Sequence, residues 1–175
     1  MPTASTQIDE LRIPMTSTTA LAGFAELYEC HSEAVFRAAL RVTGNPADAE
    51  DVLQTVFLRV LARGGVVEDV ALPAAYFRRA AVNAAVDVLR RRELHAESVY
   101  DDRAPHAAVQ PPLLLKERLR RAIAALDSED ASLFLLRHVE GLSIEELAGM
   151  FEMEKNNVAV RLHRIRQRLQ AEMQR

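Results

Sequence analysis

The chain has 175 residues, of which 49% are hydrophobic and 27% charged, a composition typical of a globular protein. Its net charge of -3 argues against a free-standing nucleic-acid-binding domain, because such domains usually carry a basic excess. The single cysteine, Cys30, excludes an internal disulfide and a thiolate zinc site, and we interpret it as a small packing residue. No apolar run approaches the roughly 20 residues that span a bilayer, and residues 1–20 lack the order of a signal peptide, which predicts a cytoplasmic protein.

Two amphipathic helices are predicted in the first third of the chain. Residues 1–20 have no periodicity and are predicted to form a disordered tail, whereas apolar spacing starts at Leu21 and ends at Gly44. Asn45 is a suitable N-cap for the second helix, since the proline that follows it fits the first helical position. The second helix is expected to end before the glycine pair at 64–65.

A third helix is predicted from Pro73 to about Arg92, and two faces separate on it. One face has the 4-3-4 spacing of a packed stripe and consists of Phe77, Ala81, Ala84 and Val88. The other face consists of Tyr76, Arg79, Asn83, Asp87 and Arg90. Such side chains can stack on an unpaired base, follow phosphates and read a base edge, but a solvated helix face fits the spacing equally well.

The next segment, 95–112, has three prolines and an aspartate pair without a helical period, which is the composition of a linker. It separates two groups of predicted helices. We therefore predict an all-α fold with two small helical domains, 21–94 and 113–175, joined by a flexible linker.

The second domain carries the signals of a helix-turn-helix. Gly141 ends one helix, and Ser143 with Glu146 forms a capping box at the start of the next, with Leu142 and Leu147 as its hydrophobic staple. A basic amphipathic helix follows after a short turn. Its packed positions are Val158, Leu162, Ile165 and Leu169. A plain helical hairpin, which can also make protein contacts, is the alternative.

Catalysis has little support in the sequence. The histidines, at 31, 95, 106, 138 and 163, are scattered without metal-ligand spacing, and no glycine-rich loop follows a strand. The acidic cluster of Asp48, Glu50 and Asp51 is interpreted as a solvated or partner-facing surface rather than a cation site. We expect no enzyme activity, no cofactor and no metal ion.

Three segments carry a resemblance to a known family. They read DAEDVLQTVFLR at 48–59, YFRRAAVN at 76–83 and LRHVEGLSIEELA at 136–148, and residues 161–164 follow on the last helix. In this order, with a linker between the second and third, they resemble the extracytoplasmic-function (ECF) group of bacterial RNA polymerase sigma factors. The resemblance extends from about Phe24 to Leu169.

The resemblance implies a sigma factor that binds core RNA polymerase and directs promoter-specific transcription initiation. The residues implied in core polymerase binding are Asp48, Asp51, Gln54 and Leu58. Those implied in opening the minus-ten element, where Asn83 helps to hold a flipped base, are Tyr76, Arg78, Arg79, Asn83, Arg90 and Arg91. Those implied in contacting the minus-thirty-five element are Asn156, Asn157, Arg161, His163 and Arg164. Core RNA polymerase and promoter DNA are the implied partners, and family habit adds an anti-sigma factor.

Several residues depart from the family pattern. Thr55 stands where an acid is usual, and Glu152 and Glu154 match the usual turn glycine and proline. Ala159 and Val160 lie where hydrogen-bonding residues are expected, which predicts an altered or relaxed minus-thirty-five preference. Two alternatives stay open. One is a sigma-like interaction module whose second domain binds polymerase, an anti-sigma factor or its own first domain, and the other is a conventional repressor or activator.

Overall fold

The computed structural model describes residues 18–63, 73–98 and 111–174, and every regular element within these ranges is an α-helix. The helices are α1 (Thr18–Thr43), α2 (Pro46–Ala62), α3 (Pro73–Ser98), α4 (Pro111–Ala124), α5 (Ser128–His138), α6 (Ile144–Met150) and α7 (Lys155–Gln174). The prediction of an all-α fold is confirmed. None of the helices in the described ranges is long and apolar enough to cross a membrane.

Local sequence sets the junction between α1 and α2. Gly44 follows α1 with a φ of 68°, a left-handed conformation that glycine adopts without steric cost, and its N–H donates to Leu40 O at 2.8 Å. The Asn45 side chain then accepts from Ala47 N at 2.8 Å, and Pro46 occupies the first turn of α2. The predicted end of α1 and start of α2 are confirmed.

Helices α1, α2 and α3 pack around a shared apolar core. Val35, Val52 and Phe77, one from each helix, are among its fully buried side chains. The ring centroid of Phe57 lies 4.8 Å from that of Tyr28 and 5.2 Å from that of Phe77, separations at which aromatic pairs attract. The packed stripe predicted on α3 is buried throughout: Phe77, Ala81, Ala84 and Val88.

Helices α4 to α7 form a second packed group with well-defined caps. The Asp127 carboxylate accepts from Glu129 N at 3.1 Å and from Asp130 N at 2.8 Å at the start of α5. At the start of α6, Ser143 Oγ accepts from Glu146 N at 3.1 Å while the Glu146 carboxylate accepts from Ser143 N at 2.7 Å. The buried positions of α7 are the predicted ones: Val158, Leu162, Ile165 and Leu169.

Helix ends differ from the prediction at three places. The third helix continues to Ser98 rather than ending near Arg92, because no glycine or proline interrupts 93–98. The fourth begins at Pro111, since a proline in the first turn lacks only an N–H that has no helical partner there. The first begins at Thr18, inside the predicted tail. The rest of the tail and linker, 1–17 and 99–110, lies outside the described residues.

The structure also corrects the placement of Cys30. Its side chain is exposed, whereas the ring of the adjacent His31 stacks on Phe77 with a centroid separation of 4.6 Å. Successive side chains of an α-helix diverge by about 100°, so at this point of α1 one neighbour faces the core and the other faces solvent.

Candidate functional site

The polar face of α3 borders a cavity of about 290 Å³ between α2 and α3. Tyr76 lines it, with its hydroxyl accepting from Arg63 Nη1 at 3.4 Å and its ring packed edge-on against Phe77. The lining residues are Val56, Arg59, Arg63, Tyr76, Arg79, Ala80 and Asn83. An aromatic ring, an amide and three guanidinium groups thus surround one concave site, a combination suited to an unpaired base and its phosphates.

The amide of Asn83, on this cavity, is engaged by the second group of helices. The hydroxyl of Ser132, on α5, donates to Asn83 Oδ1 and lies 2.7 Å from Ser128 O of its own helix. Ser132 is only 2% exposed, so α5 closes directly over this part of α3. The amide predicted to hold a base is occupied by a hydroxyl of the same chain.

Two arginines on the same face of α3 are engaged in the same way. Arg79 Nη1 donates to Met150 O at 2.7 Å, and its guanidinium carbon lies 4.4 Å from the centroid of the Phe151 ring, within cation–π range. Arg90 uses all three guanidinium nitrogens at the junction of α4 and α5. Its acceptors are Ala124 O at 3.2 Å, Ser128 Oγ at 2.5 Å and Leu126 O at 2.5 Å.

Arg78 and Arg91, the other arginines predicted to contact DNA on α3, are exposed. Arg91 Nε donates to Asp87 O, one turn earlier on its own helix, at 3.4 Å. Of the predicted DNA-contacting residues of α3, Arg79, Asn83 and Arg90 therefore bind the second group of helices, whereas Arg78 and Arg91 face solvent and Tyr76 lines the cavity.

An exposed strip on α2 carries three of the four predicted polymerase contacts. Asp51, Gln54 and Leu58 face solvent, and Leu58 is 62% exposed despite its apolar side chain. The fourth, Asp48, forms an ion pair with Arg92, and its side chain is 18% exposed. The structure thus places Asp48 between α2 and α3 rather than on the open strip.

The turn of the helix-turn-helix, at 151–154, contains the only positive φ of a non-glycine residue in the described ranges. Glu152 has a φ of 54°, a left-handed conformation that costs a residue with a Cβ about 1–2 kcal/mol. Met153 N donates to Ala148 O at 2.9 Å and closes the turn. The backbone therefore has the geometry that suits a glycine, although a glutamate occupies the position.

The outward face of α7 carries four of its five predicted DNA contacts. Asn156, Asn157, His163 and Arg164 are all exposed. Val160 is 42% exposed on the same helix, so an apolar side chain lies among polar ones on the surface that would enter a groove.

Arg161, the fifth predicted contact on α7, is held by carboxylates of α5 and its cap. Its Nε lies 2.5 Å from Asp130 Oδ1, its Nη1 2.5 Å from Glu129 Oε2 and its Nη2 3.7 Å from Asp127 Oδ1. Asp130 is 6% exposed and also lies 3.3 Å from Arg168 Nη1. DNA binding by Arg161 stays a prediction, and three carboxylates compete with phosphate for it.

The titration behaviour of this cluster follows from burial and hydrogen bonding. Burial raises the pKa of the Asp130 carboxyl, although the guanidinium of Arg161 partly opposes the rise. The backbone hydrogen bond from Asp130 N lowers the pKa of Asp127. Desolvation works against the charge of Arg161, but hydrogen bonds to Asp130 and Glu129 hold its pKa above the ordinary value. The cluster joins α5 to α7 and fixes the orientation of α7.

Sequence reasoning missed the residues that engage α3 and its neighbours. Ser132 carried a weak signal, because it is a polar residue within the otherwise apolar segment ASLFLL at 131–136. Met150 accepts through its backbone carbonyl, which no side-chain pattern reveals. Glu140 had no signal. Its side chain is 5% exposed and accepts from Arg41 of α1, 99 positions earlier in the chain.

Comparison with known proteins places the chain in one family. Residues 27–94 match the model of sigma-70 region 2, and residues 116–169 match that of sigma-70 region 4. The RNA polymerase sigma-E factor of Streptomyces avermitilis is 32% identical over 156 residues, which cover 86% of this chain and 85% of the relative. The chain belongs to the sigma-70 family. As a sigma factor it is a transcription initiation factor that works with RNA polymerase.

Several further relatives are named ECF RNA polymerase sigma factors, and this sigma factor belongs to the same group. The ECF RNA polymerase sigma factor SigE of Mycolicibacterium smegmatis is 30% identical over 163 residues, covering 86% of this chain and 61% of that protein. The sigma factor RpoE in complex with the anti-sigma factor NepR from Bartonella quintana superposes with a TM-score of 0.49 at 17% identity, over 86% of this chain and 96% of that one. Below, region 2 denotes α1 to α3 and region 4 denotes α4 to α7.

Proposed function

We propose that this sigma factor binds core RNA polymerase through α2, opens the minus-ten element with α3 and contacts the minus-thirty-five element with α7. The observation that carries the proposal is the cavity of about 290 Å³ where Tyr76, Asn83 and three arginines meet. The protein supplies binding surfaces rather than bond chemistry, so we assign it no enzyme activity. Its work on polymerase and chromosome assigns it to the cytoplasm.

The exposed strip of α2 supports the polymerase-binding role. An apolar Leu58 flanked by the polar Asp51 and Gln54 has the composition of a small interface with an apolar centre and a polar rim. Asp48 instead ties α2 to α3 through Arg92, so we assign it a positioning role.

The face of α3 supports the minus-ten role. The Tyr76 ring offers a stacking surface, the Asn83 amide offers a donor and an acceptor to a base edge, and the exposed Arg78 and Arg91 can follow phosphates. Region 2 therefore holds the three kinds of contact that an unpaired strand requires.

The exposed face of α7 supports an altered or relaxed minus-thirty-five preference. Asn156, Asn157, His163 and Arg164 can donate to bases or phosphates, whereas Val160 can contact only an apolar group such as the methyl of thymine. Because Arg161 is held by carboxylates, we assign it to positioning α7 rather than to reading bases.

Transcription reconstituted with core polymerase over a library of randomised promoters tests the proposed function. We expect initiation with strong sequence enrichment at the minus-ten element and weaker enrichment at the minus-thirty-five element. Absence of initiation from every template would contradict the proposal and favour a sigma-like interaction module, for which the contacts between region 4 and region 2 are the supporting observation.

The variant Asn83→Ala separates promoter opening from polymerase binding. We expect the permanganate reactivity of the opened strand to fall about tenfold or more, because the variant loses one bidentate contact to a base. Binding to core polymerase is expected to stay unchanged. The matched control is Ser132→Ala, which removes the intramolecular partner of Asn83 and leaves the amide itself in place. Equal losses of core binding and opening in Asn83→Ala would point to a folding defect and count against the assigned role.

A further inference from the structure

Region 4 binds the same atoms of α3 that the proposed function assigns to the promoter. Three of the six predicted minus-ten residues, Arg79, Asn83 and Arg90, contact region 4 through hydrogen bonds. The amide oxygen of Asn83 and all three nitrogens of Arg90 are occupied. A DNA strand and region 4 therefore cannot hold these groups at the same time.

A second set of contacts holds region 4 in this position from α1. Arg41 and Glu140 form a bidentate pair, with Arg41 Nη2 2.8 Å from Glu140 Oε1 and 3.0 Å from Oε2, and Nε 3.1 Å from Oε1. The Glu140 carboxylate is 5% exposed, whereas Arg41 is 49% exposed. Nearby, Arg120 Nε of α4 donates to Val42 O at 3.2 Å. None of these residues belongs to the proposed polymerase or promoter contacts.

We propose that this structure is an autoinhibited state of the sigma factor, in which region 4 covers the minus-ten surface of region 2 and the Arg41–Glu140 pair holds it closed. The inference rests on the proposed function, because it requires α3 to bind the opened strand. The apparent affinity of α3 for that strand is then the intrinsic affinity multiplied by the fraction of molecules that are open. The α2 strip stays exposed in the closed state, so core polymerase can bind before region 4 moves.

The interface between the two regions has an apolar part and a polar part. Buried apolar side chains of α3, α4 and α5 belong to one cluster, whereas the contacts from Arg41, Arg79, Asn83 and Arg90 are hydrogen bonds and ion pairs that fix the orientation of region 4 on region 2. Glu140 is the residue of this interface at which loss of the partner charge is expected to cost most. Its carboxylate has lost nearly all contact with water, and Arg41 supplies the opposite charge that compensates for that loss.

Charge reversal of this pair gives a matched set of variants. Glu140→Arg and Arg41→Glu each place like charges against one another and are expected to open the molecule, whereas the double variant restores the pair and the closure. Glu33→Arg is the control, because Glu33 pairs with Arg37 on the exposed side of α1 and the substitution changes the net charge as Glu140→Arg does.

Two measurements on the full chain follow opening and binding separately. Cys30 is exposed on α1, and a second cysteine introduced by Gln170→Cys on the exposed side of α7 allows energy transfer between dyes on regions 2 and 4. Fluorescence anisotropy with a pool of single-stranded DNA of random sequence reports access to α3. We expect both single reversals to lower energy transfer and to raise the affinity for the pool about tenfold, a typical size for coupled sites.

The variant Arg41→Glu gives the strictest comparison, because it makes the protein more negative and on net charge alone would weaken DNA binding. Unchanged energy transfer in both single variants would show that the Arg41–Glu140 pair does not hold region 4 closed, and so would a double variant that stays open. Opening without a rise in affinity for single-stranded DNA would show that region 4 does not cover the DNA-binding face of α3. If the variants behave as expected while none initiates transcription with core polymerase, the proposed promoter function fails and the closure stands.

Discussion

Arginines that look equivalent in the sequence of α7 have different surroundings in the structure. Arg161 and Arg164 are three residues apart, yet Arg161 lies against three carboxylates while Arg164 is exposed. A basic helix can therefore combine arginines that hold the domain together with arginines that are free to bind phosphate. The stability of single variants distinguishes the two kinds.

Arg161→Ala is expected to lower the free energy of unfolding by about 2–4 kcal/mol, because Asp130 stays buried with the longer contact to Arg168 as its remaining ion pair. Arg164→Ala, the matched control, is expected to change it by less than about 0.5 kcal/mol. Urea denaturation followed by circular dichroism measures both. Equal stabilities of the two variants would refute the structural role of Arg161.

The left-handed Glu152 predicts that a glycine is better at this position. Glu152→Gly removes a backbone strain of about 1–2 kcal/mol and loses about 0.5–1 kcal/mol to the greater freedom of the unfolded chain, so a net gain of about 0–1.5 kcal/mol is expected. Glu152→Gln removes the charge and keeps the strain, so its stability should match that of the original protein. Thermal unfolding compares the two, and a loss of stability in the glycine variant would contradict the prediction.

At the scale of elements, α5 is the helix that joins the parts of the molecule. Its cap and first turn bind Arg161 of α7, its Ser132 binds Asn83 of α3, and its last residue is His138. Partial burial, with the nearby cations Arg166 and Arg137, lowers the pKa of His138 below 6.5.

His138 therefore makes stability depend on pH. As pH falls, His138 takes up a proton in the unfolded chain before it does so in the folded protein. The stability that His138 contributes above about pH 6.5 is therefore lost as pH falls towards and through its folded-state pKa. His138→Gln should reduce this loss between pH 7 and 5, measured by denaturation at each pH, and Arg166→Gln should reduce it in part. Arg164→Gln makes the same change in charge elsewhere on α7. Identical pH profiles for the original protein and His138→Gln would disprove the assignment.

At the scale of the whole molecule, acidic side chains outnumber basic ones, and several cations are paired within the chain. The net charge is -3, and Arg41, Arg90 and Arg161 make intramolecular contacts in the closed structure. A negative net charge gives little long-range attraction to the phosphate backbone. We therefore expect polymerase to supply much of the affinity for the promoter.

The free sigma factor is accordingly expected to bind duplex promoter DNA more weakly than about 1 µM at physiological salt, the range of non-specific binding. The complex with core polymerase should bind the same DNA at about 10 nM or below. Mobility shifts at matched salt concentrations compare the two. Tight binding by the free protein would favour a conventional repressor or activator over a sigma factor.

The sequence by itself determined the helices, their caps and the family. Asn45, Asp127 and the Ser143 capping box act within one or two turns, and the buried stripes of α3 and α7 repeat with the helical period, so local pattern predicted them. The role of the candidate site came from the family resemblance, because Tyr76, Asn83 and the arginines of α3 fit a solvated helix face equally well by their spacing alone.

Only the tertiary structure decided which of those residues are free. The contact between Asn83 and Ser132 spans 49 positions and that between Arg41 and Glu140 spans 99, distances over which helical periodicity carries no information. Exposure of Arg164 and pairing of Arg161 likewise depend on where α5 lies against α7. Local chemistry fixes what a side chain can bind, whereas long-range packing fixes what it does bind.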